Sequence, residues 1–101
     1  MTTNFDLQFS NSFYQDFAEI ISYIQIELKN TVAAENLIEK VDIEITKRLK
    51  NPNNFQVFFT PNHNEYYRIY INNYAIFYTI KDKTMTVRRM IYHKRNYDEL
   101  L

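Results

Sequence analysis

The side chains best suited to chemistry in this chain are its histidines and a group of late cations. His93 is followed at once by Lys94 and Arg95, while Arg68 and Arg88 lie upstream in strand-like runs. Histidine is the side chain whose ordinary pKa lets it give or take a proton near neutrality. Arginine carries a permanent charge that suits phosphate. Phe77, between the two upstream arginines, adds an aromatic surface on which a base could stack. Charge, stacking and a proton carrier together point to an anionic partner. The competing reading is structural: His93 as a strand-end surface residue, and the arginines as charges that keep a sheet from aggregating. His63, in a polar loop with no partner motif, reads as a solvated residue.

Three strand-like runs must position these groups. They are Tyr66–Ile71, Tyr74–Ile80 and Met85–Tyr92, separated by Asn72-Asn73 and Asp82-Lys83. Both pairs suit hairpin turns, since Asn and Asp tolerate the left-handed region. A two-residue turn at Asn72-Asn73 sets Ile71 opposite Tyr74, Ile69 opposite Ile76 and Tyr67 opposite Tyr78. Side chains alternate along a strand, so this apolar set shares one face and meets the helices. The other face then carries Tyr66, Arg68, Tyr70, Ala75, Phe77 and Thr79, joined by Thr86, Arg88, Met90 and Tyr92. Arg68, Phe77 and Arg88 are expected side by side on an open face. Strict alternation puts Arg89 in the core, so a bulge is expected at Arg88-Arg89.

Upstream, Phe5, Leu7 and Phe9 alternate with polar residues and predict a short first strand. Ser10 or Ser12 can cap a helix, and Ser12 with Gln15 resembles a capping box. Phe13, Phe17, Ile20, Ile21, Ile24 and Leu28 predict an amphipathic helix over 12–29. Asn30 and Thr31 break it and can cap a second helix, whose face is Ala34, Leu37, Ile38, Val41, Ile45 and Leu49. Asn51-Pro52 ends that run. In the polar loop 51–65, Phe55, Val57, Phe58 and Phe59 form an apolar cluster that tucks under or makes a short strand. The predicted class is α+β: an N-terminal strand, an antiparallel helical hairpin, then a three-stranded antiparallel meander. In this β-α-α-β-β-β order the helices pack on one face of the sheet.

The 101 residues suit one domain, 1–101, with a single core. Hydrophobic content of 46%, including 17% aromatic, excludes a disordered chain. No apolar run reaches the ~18–20 residues of a membrane span, and MTTNFDLQFS lacks the features of a signal peptide. A cytoplasmic location is the expectation. Without cysteine there is neither a disulfide framework nor a thiolate metal site, and two separated histidines with scattered carboxylates make no metal constellation. Without glycine there is no phosphate-binding loop, and no cofactor is expected. Residues 1–50 hold 8 acidic and 5 basic side chains, net −3, whereas residues 51–101 hold 4 and 7, net +3. A polarised surface with one anion-facing side follows, unless the imbalance is chance.

Several segments in this order resemble the RelE/ParE toxin superfamily of type II toxin–antitoxin modules. They are Asp16–Ile24 (DFAEIISYI), Tyr67-Arg68-Ile69, Asn73-Tyr74-x-Ile76-Phe77-Tyr78 and Arg89-Met90-Ile91-Tyr92-His93-Lys94-Arg95. The resemblance covers nearly the whole chain, and its element order agrees with the one read above. It implies a toxin that arrests growth and a cognate antitoxin that neutralises it. Phe13, Phe17, Phe58 and Phe59 are the positions expected to meet that antitoxin.

The superfamily holds two mechanisms. RelE-like and YoeB-like members are ribosome-dependent mRNA endonucleases, whereas ParE-like members act on DNA gyrase without nuclease chemistry. Cutting RNA through its own 2′-hydroxyl needs a base, an acid and cations around the phosphate. By the resemblance, His93 matches a catalytic histidine of YoeB-like toxins. Arg68 matches a catalytic lysine of RelE-like toxins, and Arg95 a late catalytic arginine. Ala75, however, stands where those enzymes carry an arginine, and Tyr70 where they carry a lysine. The pattern leans toward the ParE type, with Arg68, Phe77, Arg88, Lys94, Arg95 and Tyr97 as the surface for RNA or another target.

Overall fold

The computed structural model describes residues 4–101; residues 1–3, which open the segment read for a signal, lie outside the described residues. Strand β1 (Asp6–Phe9) leads into helix α1 (Asn11–Ser22), which runs on as a π-helical turn over Tyr23–Glu27. Helix α2 (Thr31–Leu49), strands β2 (Phe58–Phe59), β3 (Glu65–Ile71), β4 (Tyr74–Lys81) and β5 (Thr84–Tyr92), and a short helix α3 (Tyr97–Leu100) follow. The expected α+β order and meander are present. The meander is widened to a five-stranded sheet in the order β1-β5-β4-β3-β2. Strand β1 runs parallel to β5, while β2 and the meander strands pair antiparallel. No helix among the described residues is long and apolar enough to cross a membrane.

Both hairpins turn without glycine. Asn72 at φ 52° and Asp82 at φ 55° take the left-handed region, which Asn and Asp tolerate through their short polar side chains. The first turn fixes the register as expected, pairing Ile71 with Tyr74, Ile69 with Ile76 and Tyr67 with Tyr78.

Ser10, not Ser12, caps α1: its Oγ accepts from the Phe13 N–H at 3.1 Å. Asn30 caps α2 by accepting from the Ala33 N–H. The π turn, in which the Leu28 N–H reaches back to the Tyr23 carbonyl, rotates the end of the first helix. Ile24 stays buried, but Leu28 is turned out to solvent instead of continuing the apolar face. Lys29, at φ 50°, ends the segment.

The main core joins Phe13, Ile24, Leu37, Val41 and Ile45 from the helices to Ile69, Ile76, Tyr78, Met85 and Val87 from the sheet. Tyr78 is the one fully buried hydroxyl-bearing ring of this core. Its phenol donates to the Pro52 carbonyl at 2.7 Å and accepts from Arg48 Nη1 at 2.9 Å, so it pins the loop after α2. Burial raises its pKa above the usual value, against the opposing pull of Arg48. The fold therefore favours the neutral phenol. That stability is complete below the unfolded pKa near 10 and is lost as pH rises through the higher folded value. Tyr78→Phe is expected to cost about 1–3 kcal/mol at neutral pH by leaving its partners unmatched. It should also flatten the alkaline loss of stability, as read by denaturant unfolding from pH 7 to 11.

Candidate functional site

The sheet's second face was expected to be open. Instead, a second apolar cluster covers it: Ala75, Phe77 and Ile91, packed under Phe58, Tyr66, Tyr97, Leu100 and Leu101. Phe77 and Ala75 are both 0% exposed. The Tyr97 ring lies edge-on to Phe77 at 4.9 Å, and Phe58 approaches it at 6.0 Å. Phe77 is thus an anchor for the tail, not an exposed stacking surface. This cover is not legible in the residue pattern, because the tail is a single helical turn with no readable period.

A bulge in β5 re-sorts the cations. Phe77 pairs with Arg89, and the next residue, Tyr78, pairs with Val87, so Arg88 is the extra residue. The bulge expected at Arg88-Arg89 is therefore present. Arg89, not Arg88, lies beside Phe77, and Met90 swings into the main core with Ile76 instead of joining the second face. Arg88 is exposed, its Nε donating to Thr79 Oγ1 at 2.9 Å.

Helix α1 supplies what the bulge's backbone lacks. Ser10 Oγ donates to the Arg88 carbonyl at 2.6 Å, and Asp16 Oδ2 accepts from the Met90 N–H at 3.0 Å. The Asp16 carboxylate also takes two bonds from Arg89, from Nε at 2.6 Å and Nη2 at 3.1 Å. Arg89 Nη1 then donates to the Leu100 carbonyl at 2.8 Å, tying tail, strand and helix together. In the sequence, Asp16 and Arg89 stand out only as members of two separate motifs, and Arg89 also as a misfit to strand alternation. A carboxylate on a sheet-facing helix and a misplaced arginine were the available signal.

The nuclease candidates do not converge. Arg68, opposite Phe77 on β3, sets its guanidinium over the rings of Phe58 at 4.7 Å and Tyr70 at 5.6 Å. Tyr97 lies close by: burial first, then the Tyr70 phenol, raises its pKa, while Arg68 lowers it. His93 is exposed at the far end of β5, next to the Asn72-Asn73 turn. Its Nδ1 sits 2.9 Å from the Asn73 carbonyl; a carbonyl only accepts, so the contact is a hydrogen bond in the tautomer that carries the proton on Nδ1. From Arg68 to His93 is two strands across and four residues along, about 16 Å between Cα atoms. Lys94 and Arg95 are exposed beyond it. The Tyr97 hydroxyl donates to the His93 carbonyl at 2.9 Å, fixing the start of the tail.

On the opposite side, the helical hairpin opens onto an apolar groove of about 380 Å³. Leu7, Phe9, Phe13, Phe17 and Ile38 line it, with Glu39 and Asp42 at the rim. Phe13 is itself buried, and Phe17 stacks on it at 5.6 Å. Phe58 and Phe59 lie away from this groove, on β2. Phe58 faces the tail, while Phe59 is 58% exposed. Among the described residues, no group of three or more His, Cys, Asp or Glu could hold a metal ion.

Solved structures share this architecture. A chain of the chromosomal ParDE toxin–antitoxin system of P. aeruginosa superposes with a TM-score of 0.74 at 10% identity, covering 90% of this chain and 98% of that one. A copper-bound mutant toxin from Helicobacter pylori gives 0.54 at 18% identity, over 88% and 94% of the two chains. A chain of the RelB–RelE antitoxin–toxin complex of Methanococcus jannaschii gives 0.50 at 22%, over 93% and 99%. At such identities the likeness is one of fold. No curated protein sequence matches the chain. The model of the ParE toxin of type II toxin–antitoxin systems matches residues 7–97, and the chain belongs to that family.

Proposed function

We propose that this ParE-type toxin arrests growth by binding DNA gyrase in the cytoplasm, without cutting RNA, and that a cognate antitoxin neutralises it. The observation that carries this reading is the filled second face of the sheet. Where RNA cleavage would need cations around a phosphate, Ala75, Phe77 and Ile91 are packed under the tail. The arginine next to them, Arg89, is already bound to Asp16 and Leu100. What stays exposed is Arg88 on β5 and a polar end, His93, Lys94 and Arg95, suited to contact with a charged macromolecule.

The groove between the helices supports the antitoxin. Apolar, rimmed by Glu39 and Asp42, it fits an amphipathic helix with basic flanks. Phe13 and Phe17 would form its floor, while Phe58 and Phe59 belong to a separate contact. One observation favours the nuclease reading: His93 is exposed, held at the end of β5 by its Nδ1 contact with the Asn73 carbonyl. Primer extension on translated mRNA separates the two. Intact transcripts in the presence of the toxin are expected; A-site cuts that disappear in His93→Ala would overturn the proposal.

A further inference from the structure

A second groove, of about 710 Å³, lies between the end of helix α1, β5 and the tail. Its volume falls in the range of small-molecule sites. Strand β1 covers β5 only from Thr84 to Val87. The His93 N–H bonds back to the Asn73 carbonyl, so by alternation Met90 and Tyr92 direct their N–H and C=O groups the other way, toward the groove. Asp16 takes the Met90 N–H, and the Tyr92 carbonyl accepts from the Arg95 N–H at 2.9 Å. That last bond folds the chain back and sets Arg95 beside Tyr92. Helix α1 follows the same edge: Ser10 meets Arg88 and Asp16 meets Met90. Its next turn, with Glu19 and Tyr23, therefore comes level with Tyr92 and its strand partner Tyr74.

The tyrosines form a corner. The Tyr74 and Tyr92 rings stand 5.9 Å apart at 77°, and Tyr23 approaches from the helix. Burial first, then the Tyr92 and Tyr23 phenols, raises the Tyr74 pKa, so that ring is uncharged at neutral pH. Faces of neutral aromatic rings attract an ammonium group. Four charged side chains line the groove, and Asp16 and Arg89 bond each other. Glu19 and Arg95 are exposed, and neither is in an ion pair among the described residues. One charge of each sign is left. Glu19, four residues before Tyr23, shares its side of the helix and stands with the rings. Arg95 stands with the outward Tyr92 N–H, and the two together suit a carboxylate.

We propose that this groove binds a small zwitterion, its amine in the corner of Tyr23, Tyr74 and Tyr92 beside Glu19, its carboxylate at Arg95 and the Tyr92 N–H. A lone cation would satisfy Glu19 and the rings but leave Arg95 unanswered; a lone anion would do the reverse. The site is separate from the groove in the helical hairpin and does not depend on the gyrase reading.

The test is titration of the full chain with two zwitterions, followed by calorimetry and by amide chemical shifts. Glycine betaine carries a quaternary ammonium for the ring corner. L-leucine adds a side chain suited to Ile20, Ile91 and Leu100 in the same groove. At least one is expected to bind and to move the Tyr92 amide resonance. Tetramethylammonium and acetate, each matching one half of the site, are expected to bind at least about tenfold more weakly. Glu19→Gln and Arg95→Gln are each expected to weaken the zwitterion about tenfold, the scale of one lost charged hydrogen bond. Both should keep the wild-type melting temperature, because the side chains are exposed. The proposal is overturned if neither zwitterion moves the Tyr92 resonance more than sodium chloride does at equal ionic strength. It is equally overturned if either half-ligand binds as tightly as the zwitterion, or if binding survives both substitutions unchanged.

Discussion

Replacing Asp16 with alanine is expected to lower stability by about 3 kcal/mol, the scale for removing one partner of a buried ion pair. Its carboxylate answers three donors at once: two on the Arg89 guanidinium and the Met90 N–H. Side-chain exposures of 26% for Arg89 and 14% for Asp16 keep solvent from replacing it fully. The loss would strand a cation and a backbone N–H at the bulge, and loosen the tail that Arg89 holds through Leu100. At about 4–8 °C per kcal/mol for a domain of this size, the melting temperature should fall by more than 10 °C. Asp16→Glu should recover part of the loss, since it restores the charge but not the geometry. An unchanged melting temperature in Asp16→Ala would show that the bulge is held by Ser10 and packing alone.

The second large effect is expected at Phe77. Its ring is fully buried between the sheet and the tail, against Phe58, Tyr66 and Tyr97. Phe77→Ala removes that contact and leaves a cavity, which costs about 3–5 kcal/mol in a packed core. The tail should suffer most, because α3 is only four residues long and has no helical stability of its own. Thermal unfolding gives the global cost. Amide exchange over residues 97–100 should accelerate beyond what the global loss accounts for. Phe77→Leu, which keeps most of the volume, should lose less than half as much. Equal exchange in the tail of wild type and Phe77→Ala would mean that Leu100 and Leu101 hold it without the aromatic cluster.

What the sequence made legible was local. The Asn72-Asn73 turn fixed a register that the alternation of Tyr67, Ile69 and Ile71 then had to obey, and the structure follows it pair by pair. The two helices were readable from their 3.6-residue period, and the bulge from the misfit of Arg89. The rest depends on contacts far apart in the chain. Nothing near β1 says that it will lie parallel to β5, where Leu7 meets Met85. Nothing near Tyr97 says that it will cover Phe77. That second contact matters most for the site: alternation correctly put Ala75, Phe77 and Arg68 on one face, but only the folded tail determines which of them a partner can reach. The choice of Ser10 over Ser12 as cap has the same origin, since Ser10 also satisfies the Arg88 carbonyl seventy-eight positions away.

Growth arrest through gyrase is tested most directly by a supercoiling assay with the purified toxin, purified gyrase and relaxed plasmid. Inhibition that rises with toxin concentration and is relieved by added antitoxin is the expected result. Full supercoiling at a saturating excess of folded toxin would contradict it.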